Sequence, residues 1–273
     1  MINYLMLKKE EIKNTFIILA ILIIYNIMSK ESFSKDNTEI IYINSNKLEK
    51  NRSNSVYDID YVDDVIYIPD YRHNKIILFK KNGSVLKTIY SHAPHGIEVD
   101  NKKNIYVTDL LDNRIRKFDK DGNEIMKWDH HLHPLVKVDR PLSVDTDNNG
   151  NVYISAENLI IKVSDDGQLL KEFDLSRLKS NKIFPHNITY YENKIYVAES
   201  ETKKILIYNT EGEYLNSFTT NLKTGFNPSA VNFYNNEFIL VPNSVNSTLH
   251  IFDLNGIELK VVGGKGINYG EWL

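Results

Sequence analysis

The stretch "NIYVTDLLDNRIRKFDKDG", Asn104–Gly122, decides the fold. Apolar residues alternate through Ile105–Val107, an Asp-rich loop follows, Ile115–Phe118 form a second apolar run, and a glycine turn closes the phrase. Period-two alternation bounded by turn residues reads as two short β-strands and a hairpin. The same phrase returns, reworded, about every 40 residues, a period that belongs to stacked or circular repeat architectures.

Five copies align between Ser53 and Val262. Their central strands are "VIYIPD", "NIYVTD", "NVYISA", "KIYVAE" and "EFILVP", and each precedes a polar loop and a second apolar strand: "KIILF", "RIRKF", "LIIKV", "KILIY" and "TLHIF". A glycine then occurs in every copy, at Gly83, Gly122, Gly167, Gly212 and Gly256, followed by a last strand such as "SVLKTI" or "EIMKW". A short first strand, such as "GIEVD" or "NITYY", stands ahead of the central one. Asp or Asn followed by Gly suits a tight hairpin because Gly accepts positive φ. A single four-stranded sheet leaves two apolar faces and two edges, so the units must stack. Stacking around an axis gives an all-β, four-stranded antiparallel-bladed β-propeller.

The copy "PHGIEVDNKKNIYVTDLLDNRIRKFDKDGNEIMKW", Pro94–Trp128, resembles the NHL repeat in the Pro before the first strand, the Asp ending it, "IYVTD", "NRI" and the DG turn. The resemblance covers residues 53–270 and implies a six-bladed ring. Upstream, "EIIYINSNKLEK" (Glu39–Lys50) aligns with "KIILFKKNGSVLK" (Lys75–Lys87), the third and fourth strands of a blade. The expectation is five full repeats plus a partial sixth blade within residues 39–273. Its remaining strands are expected beyond Leu273; the alternative is a five-blade ring with a makeshift seam.

Composition narrows the function. The 273 residues are 42% hydrophobic and 25% charged, with net charge −3 and no Cys. That is enough chain for a sizeable core, without disulfide or thiolate chemistry. No basic stripe offers itself to phosphate, so nucleic acid is excluded as a partner. "FIILAILIIYNIM" (Phe16–Met28) is a run of thirteen residues behind Lys8, Lys9 and Lys13. Its length suits the apolar core of an export signal better than a spanning helix. Residues 1–28 thus read as a signal peptide or a membrane anchor with a hydrophobic helix, and residues 29–38 as a spacer. Localisation follows as exported, whether secreted, at the cell surface or membrane-anchored, and the membrane is met only through this segment.

In a propeller the first strands line the channel, and the residues entering them ring one mouth. That column reads Tyr57, His95, Leu142, His186 and Ser229. His95 and His186 stand two blades apart, and neutral imidazoles converging on an axis are a zinc-ligand pattern. A similarity to the peptidyl-hydroxyglycine amidating lyases, in which "PH" motifs carry metal ligands, implies the same roles for His95 and His186. No third "PH" histidine matches that pattern; Tyr57 and Arg140 lie nearby. "HHLHP" (His130, His131 and His133) is a further loop cluster, read as a solvated loop on the same rim, with supply of the missing ligand as the alternative. Asp58 and Asn187 carry oxygens suited to calcium. Asp70 and Asp109, at strand ends, are expected to accept backbone N–H groups of the loops after them. Tyr71, Tyr214 and Phe226 are candidate anchors for a protein, peptide or glycan ligand.

Two functions remain. One is an exported, monomeric binding module; the other is a metal-dependent enzyme of the amidating-lyase or lactonase type at the His95/His186 mouth. Zinc or calcium would be the cofactor.

Overall fold

The computed structural model describes residues 56–128, 138–175, 183–221 and 225–264. They form twenty strands in five four-stranded antiparallel sheets, each in simple sequence order. Blade 1 is β1 (Asp60–Val62), β2 (Val65–Asp70), β3 (Lys75–Lys80) and β4 (Val85–Tyr90). Blade 2 is β5 (Pro94–Val99), β6 (Ile105–Asp109), β7 (Arg114–Phe118) and β8 (Glu124–Trp128). Blade 3 holds β9 (Ser143–Thr146), β10 (Val152–Ala156), β11 (Leu159–Val163) and β12 (Leu169–Asp174). Blade 4 holds β13 (Pro185–Tyr191), β14 (Lys194–Glu199), β15 (Lys204–Asn209) and β16 (Tyr214–Phe218). Blade 5 holds β17 (Asn232–Tyr234), β18 (Phe238–Asn243), β19 (Thr248–Asp253) and β20 (Glu258–Gly263). The propeller architecture read from the repeats is present. Five blades are described rather than six; the N-terminal apolar run, the Glu39–Lys50 segment and residues 265–273 lie outside the described residues.

The glycine turns are built alike. Gly122 at φ 75° donates its N–H to the Asp119 carbonyl at 2.9 Å, and Asp119 N–H reaches the Asn123 carbonyl at 2.9 Å. A register slip follows at Lys117/Phe118, and slips recur at Leu78/Phe79, Lys162/Val163, Ile207/Tyr208 and Ile251/Phe252. This is a short turn closed by a bulge with its last residue in the left-handed region, where only Gly is unstrained. The same glycine seats the neighbouring blade. A Cβ on Gly122 would fall 2.7 Å from the Ile89 side chain of β4, and one on Gly256 would fall 2.6 Å from Phe218 of β16. Gly167 stands in the same way over Trp128, and Gly212 over Phe173. In blades 1 to 4 the large residue of the outer strand therefore tucks beneath the next blade's turn.

The second strands supply the rest of each joint. Because strand side chains alternate, Tyr106 points toward blade 3 and joins Val144, Val152 and Ile154, whereas Ile105 and Val107 point back to Tyr67, Ile76 and Leu78. Tyr153 and Tyr196 repeat the placement at the next two joints. Their rings are buried while the hydroxyl of Tyr106 is hydrogen-bonded to Asp100 (3.1 Å) and to Asp165 of the next blade (3.0 Å). The acid ending the first strand organises the hairpin beneath. Asp147 accepts the N–H groups of Asn149 and Asn151 at 2.9 Å each, as Asp100 accepts those of Lys102 and Asn104 at 2.8 Å.

Gly167→Ala is expected to cost about 1–3 kcal/mol, from left-handed backbone strain plus the collision with Trp128. The check is a urea-unfolding midpoint, compared with Gly150→Ala, where the nearest atom is 3.9 Å from an added Cβ.

Candidate functional site at the channel mouth

The first strands of successive blades contact one another, β1 with β5, β5 with β9 and β9 with β13, which makes them the inner wall. Residues alternate along them between the blade core and the channel. Ile97, Val144 and Ile188 face the core; Asp60, Glu98, Asp145 and Thr189 occupy the channel-facing column, half-buried.

At the mouth, Tyr57 stacks on His95 with ring centroids 4.4 Å apart and planes at 14°, and it meets the edge of Tyr71 at 5.9 Å. Tyr57 is 48% exposed, so one face of this aromatic group is open. Nδ1 of His95 donates to the Leu142 carbonyl at 2.7 Å, which leaves Nε2 with its lone pair. Burial pushes the His95 pKa down to about 4, against the pull of that carbonyl, and charges on His186 and Arg140 push it the same way. The ring is therefore neutral at physiological pH, and His186 is near enough to influence it. His186 keeps an exposed edge, and crowding around its ring lowers its own pKa. The structure thus brings together Tyr57 and His95, while His186 bears on the His95 ring only through its charge. His130, His131 and His133 lie outside the described residues.

The other rim residues are tied into the wall. Asp58 accepts the N–H of Ile97 at 3.0 Å, and Asn187 accepts that of Val231 at 3.1 Å while donating to the Ser143 hydroxyl at 3.2 Å. Ser229 donates its hydroxyl to the Pro242 carbonyl at 3.3 Å. Asp58 and Asn187 are thus staples between neighbouring first strands. Among the candidate anchors, Phe226 is corrected: it is 3% exposed and packs in the joint of blades 4 and 5, because the loop before β17 folds inward over Tyr196 and Val241. Tyr214 is exposed and Tyr71 half-buried. Asp70 accepts the His73 N–H at 3.3 Å and Asp109 that of Asp112 at 3.0 Å, the loop-closing role expected of them.

Deeper in the channel lies a group that the sequence reading marked only at Asp58. Asp58 and Asp60 of blade 1, Glu98 of blade 2 and Asp145 of blade 3 form one interacting set of carboxyls. Asp60 accepts the Val99 N–H at 2.8 Å, Asp145 accepts the Tyr190 N–H at 2.8 Å, and Glu98 accepts the Thr146 hydroxyl at 3.0 Å. Burial raises Asp58 to about 7, Asp60 to about 6 and Asp145 to about 7. Loss of solvent also holds Glu98 well above its ordinary value, and repulsion from Asp145 and Asp60 adds to this. The signal was present in the alignment, since Asp60, Glu98 and Asp145 each stand three residues after a rim position.

Two polar sets sit in a column otherwise filled by Ile77, Ile161 and Leu206. Arg116 bonds Asp109 at 3.0 Å and Glu124 at 2.7 Å; His250, fully buried, contacts Glu258 at 2.6 Å and Thr248 at 3.0 Å. His92, Asp109 and Asp112 offer ligand atoms within 4.8 Å of one another, but Arg116 already reaches Asp109 at 3.0 Å and Asp112 at 3.5 Å. A guanidinium on both carboxylates supplies the positive charge a cation would bring.

No protein-family model matches the chain. NHL repeat-containing protein 3 of Mus musculus is 24% identical over 202 residues, 64% of this chain and 57% of the relative. The chain is an NHL-like β-propeller. It spans little more than half the length of the mouse relative. Among solved structures, this propeller is similar to virginiamycin B lyase from Staphylococcus aureus (18% identity, TM-score 0.61, 77% of this chain and 70% of that one). It is equally similar to a chain of the nidogen/laminin complex (20% identity, TM-score 0.61, 76% and 80% coverage).

The channel acids set a direction for pH dependence. Their folded pKa values exceed the unfolded ones, so between about pH 4 and 7 the native state binds more protons and loses stability as pH rises. Glu98→Gln keeps the acceptor for Thr146 and removes one charge. It is expected to raise the thermal midpoint at pH 8, by about 2–4 °C for each kcal/mol relieved, and to leave it nearly unchanged at pH 4. Calorimetry at the two pH values checks this.

Proposed function

We propose that this NHL-like propeller is an exported interaction module that receives a protein or peptide ligand at the channel mouth, on the platform of Tyr57, Tyr71 and His95. The open, stacked Tyr57/His95 pair carries the reading: it is 48% exposed at Tyr57 and its imidazole is neutral. Rigid aromatic surface of this kind contributes binding energy with little side-chain entropy to lose. The similarity to an NHL repeat-containing protein and to a chain of the nidogen/laminin complex supports an interaction role. Net charge −3 steers the surface away from nucleic acid. The Phe16–Met28 segment supports export, with residues 1–28 as signal or anchor.

A second reading is favoured by one observation. The His95 Nδ1–H is fixed by a backbone carbonyl, which orients Nε2 as a metal-ligating imidazole is normally oriented, and the charge of His186 bears on the same ring. The similarity to a lyase of the same fold is in keeping with it. Zinc held by His95 and His186 would polarise a substrate hydroxyl or carbonyl there.

Peptides selected from a library on the immobilised full chain should lose about 10- to 100-fold in affinity for Tyr57→Ala, the effect of removing an aromatic anchor. Equal retention by wild type and Tyr57→Ala would remove the platform reading. Isothermal titration with zinc separates the second reading: one equivalent bound by wild type and lost in His95→Ala/His186→Ala would support it, and heat-silent titration would end it. Deleting residues 1–28 should leave the protein in the cytoplasmic fraction of the expressing cell.

A further inference from the structure

On the face opposite the mouth, each first strand turns into the second, and the hairpins there are of two kinds. In blades 2 and 3, Asp100 and Asp147 close the turn by accepting the N–H groups beyond them. In blades 1, 4 and 5 two consecutive residues take positive φ instead: Asp63 and Asp64 (50° and 61°), Glu192 and Asn193 (47° and 59°), and Asn235 and Asn236 (51° and 55°). A turn of this hand closes through backbone bonds, such as that from the Glu237 N–H to the Tyr234 carbonyl at 3.1 Å, and needs no side-chain acceptor. The place of the aspartate is thereby released. Asp100 and Asp147 stand three residues after core-facing Ile97 and Val144; Tyr191 and Tyr234 stand three after Ile188 and Val231. Tyr191 lies flat on Phe233 of the next blade, centroids 3.8 Å apart and planes at 8°, and the edge of Tyr196 meets Phe233 at 4.7 Å. Tyr190 stacks on Tyr153 of blade 3 at 6.1 Å, and its hydroxyl donates to Asn193 at 3.0 Å. Tyr190, Tyr191, Phe233 and Tyr234 are all half-buried, an aromatic group at the solvent-facing end of two sheets.

Carboxylates surround this group. Glu192 and Glu237 lie in the two aromatic hairpins, both are exposed, and neither forms an ion pair among the described residues. Burial and then the Glu192 carboxylate raise the pKa of the Tyr191 hydroxyl, and after burial the same carboxylate raises that of Tyr196, which puts its charge beside the ring stack. The outer turns at the same end of blades 4 and 5 add Glu211, held by Lys162 at 4.0 Å, with Glu213 and Asp253. Lys194 is the one exposed cation among the described residues at that end. Aromatic faces backed by acids suit a guanidinium, whose plane stacks on the ring while its fork bonds a carboxylate. We propose that this corner docks an arginine-bearing segment of a partner protein, one guanidinium lying on Tyr191 against Glu192 and a further cation drawn to Glu237. Blade 2 carries Lys102 and Lys103 at the corresponding turn, which confines the cation site to blades 4 and 5. The surface lies at the far ends of the first strands from the Tyr57/His95 platform and is independent of it.

The probe is a fluorescein-labelled peptide of alternating Arg and Gly, titrated into the full chain at physiological salt and read by anisotropy. Saturable binding is expected, with none of an alternating Ser/Gly peptide. Tyr191→Leu keeps apolar cover over the joint and removes the ring; it is expected to weaken binding about 5- to 10-fold. Glu192→Gln/Glu237→Gln, at exposed turn positions, is expected to weaken it about 10-fold or more. Tyr90→Ala, which removes a tyrosine 73% exposed on β4, should bind as the wild type does. Hydrogen exchange at residues 189–194 and 232–238 should slow when the peptide binds. Absence of binding by the wild type would overturn the proposal. Equal affinity in the wild type and the glutamine double variant would overturn it too, since the peptide would then be held by the acidic surface at large. Should Tyr191→Leu not fold, the double variant and the exchange footprint decide. Maltoheptaose held by the wild type, with no arginine peptide bound, would assign the aromatic group to a glycan and end the proposal.

Discussion

Everything in this molecule depends on the joint between neighbouring blades. A lone four-stranded sheet of these residues leaves two apolar faces wet and has little stability of its own. Two contacts convert it into part of a ring. A tyrosine or its neighbour on the second strand reaches forward into the aliphatic pair of the next blade, as Tyr106 does against Val152 and Ile154. At the periphery, Trp128 or its counterpart slides beneath the following glycine turn. The glycine serves twice in one atom-poor position: its positive φ closes the hairpin, and its missing Cβ admits the aromatic ring. This double constraint accounts for the glycine at positions 122, 167, 212 and 256.

The joints also position the chemistry. Packing the blades around an axis forces the first strands together, so their channel-facing side chains bond to the next strand instead of to water. Asp58, Asp60, Asp145 and Asn187 all take an N–H from the neighbouring blade. Burying the acids of three blades in one channel raises their pKa values, and their mutual repulsion adds to it, an electrostatic cost met at neutral pH by the hydrophobic joints outside. The mouth is different. Tyr57 and His95 stack over one another with a face left open, and the imidazole there is neutral because burial outweighs the pull of the Leu142 carbonyl it is bonded to. Acid lies below and aromatic surface above.

Much of this was legible beforehand, for reasons particular residues make plain. "IYVTD" shows its alternation because Ile105 and Val107 fill one joint and Tyr106 fills the opposite one. The strand-end role of Asp70 and Asp109 was legible because a loop leaving a strand needs an acceptor for its first N–H groups. Phe226 misled because a loop aromatic looks like surface until the chain's path is known; the loop turns inward and buries it against Val241. Nothing in the sequence marks His250 beyond its place in an outer strand, and only packing shows that Glu258 and Thr248 accompany it.

By itself the sequence determined the repeat, its four strands, the glycine turns and the column of residues entering the channel, since all of these follow from local periodicity and backbone preference. Tertiary structure alone decided which members of that column act together. Asp58 and Asn187 became staples, Tyr57 and His95 a stacked pair, and Asp60, Glu98 and Asp145 a single titrating set. The physical reason is distance: these groups are some forty residues apart in the chain, and only closure of the blades around one axis brings their dipoles and charges within reach of one another.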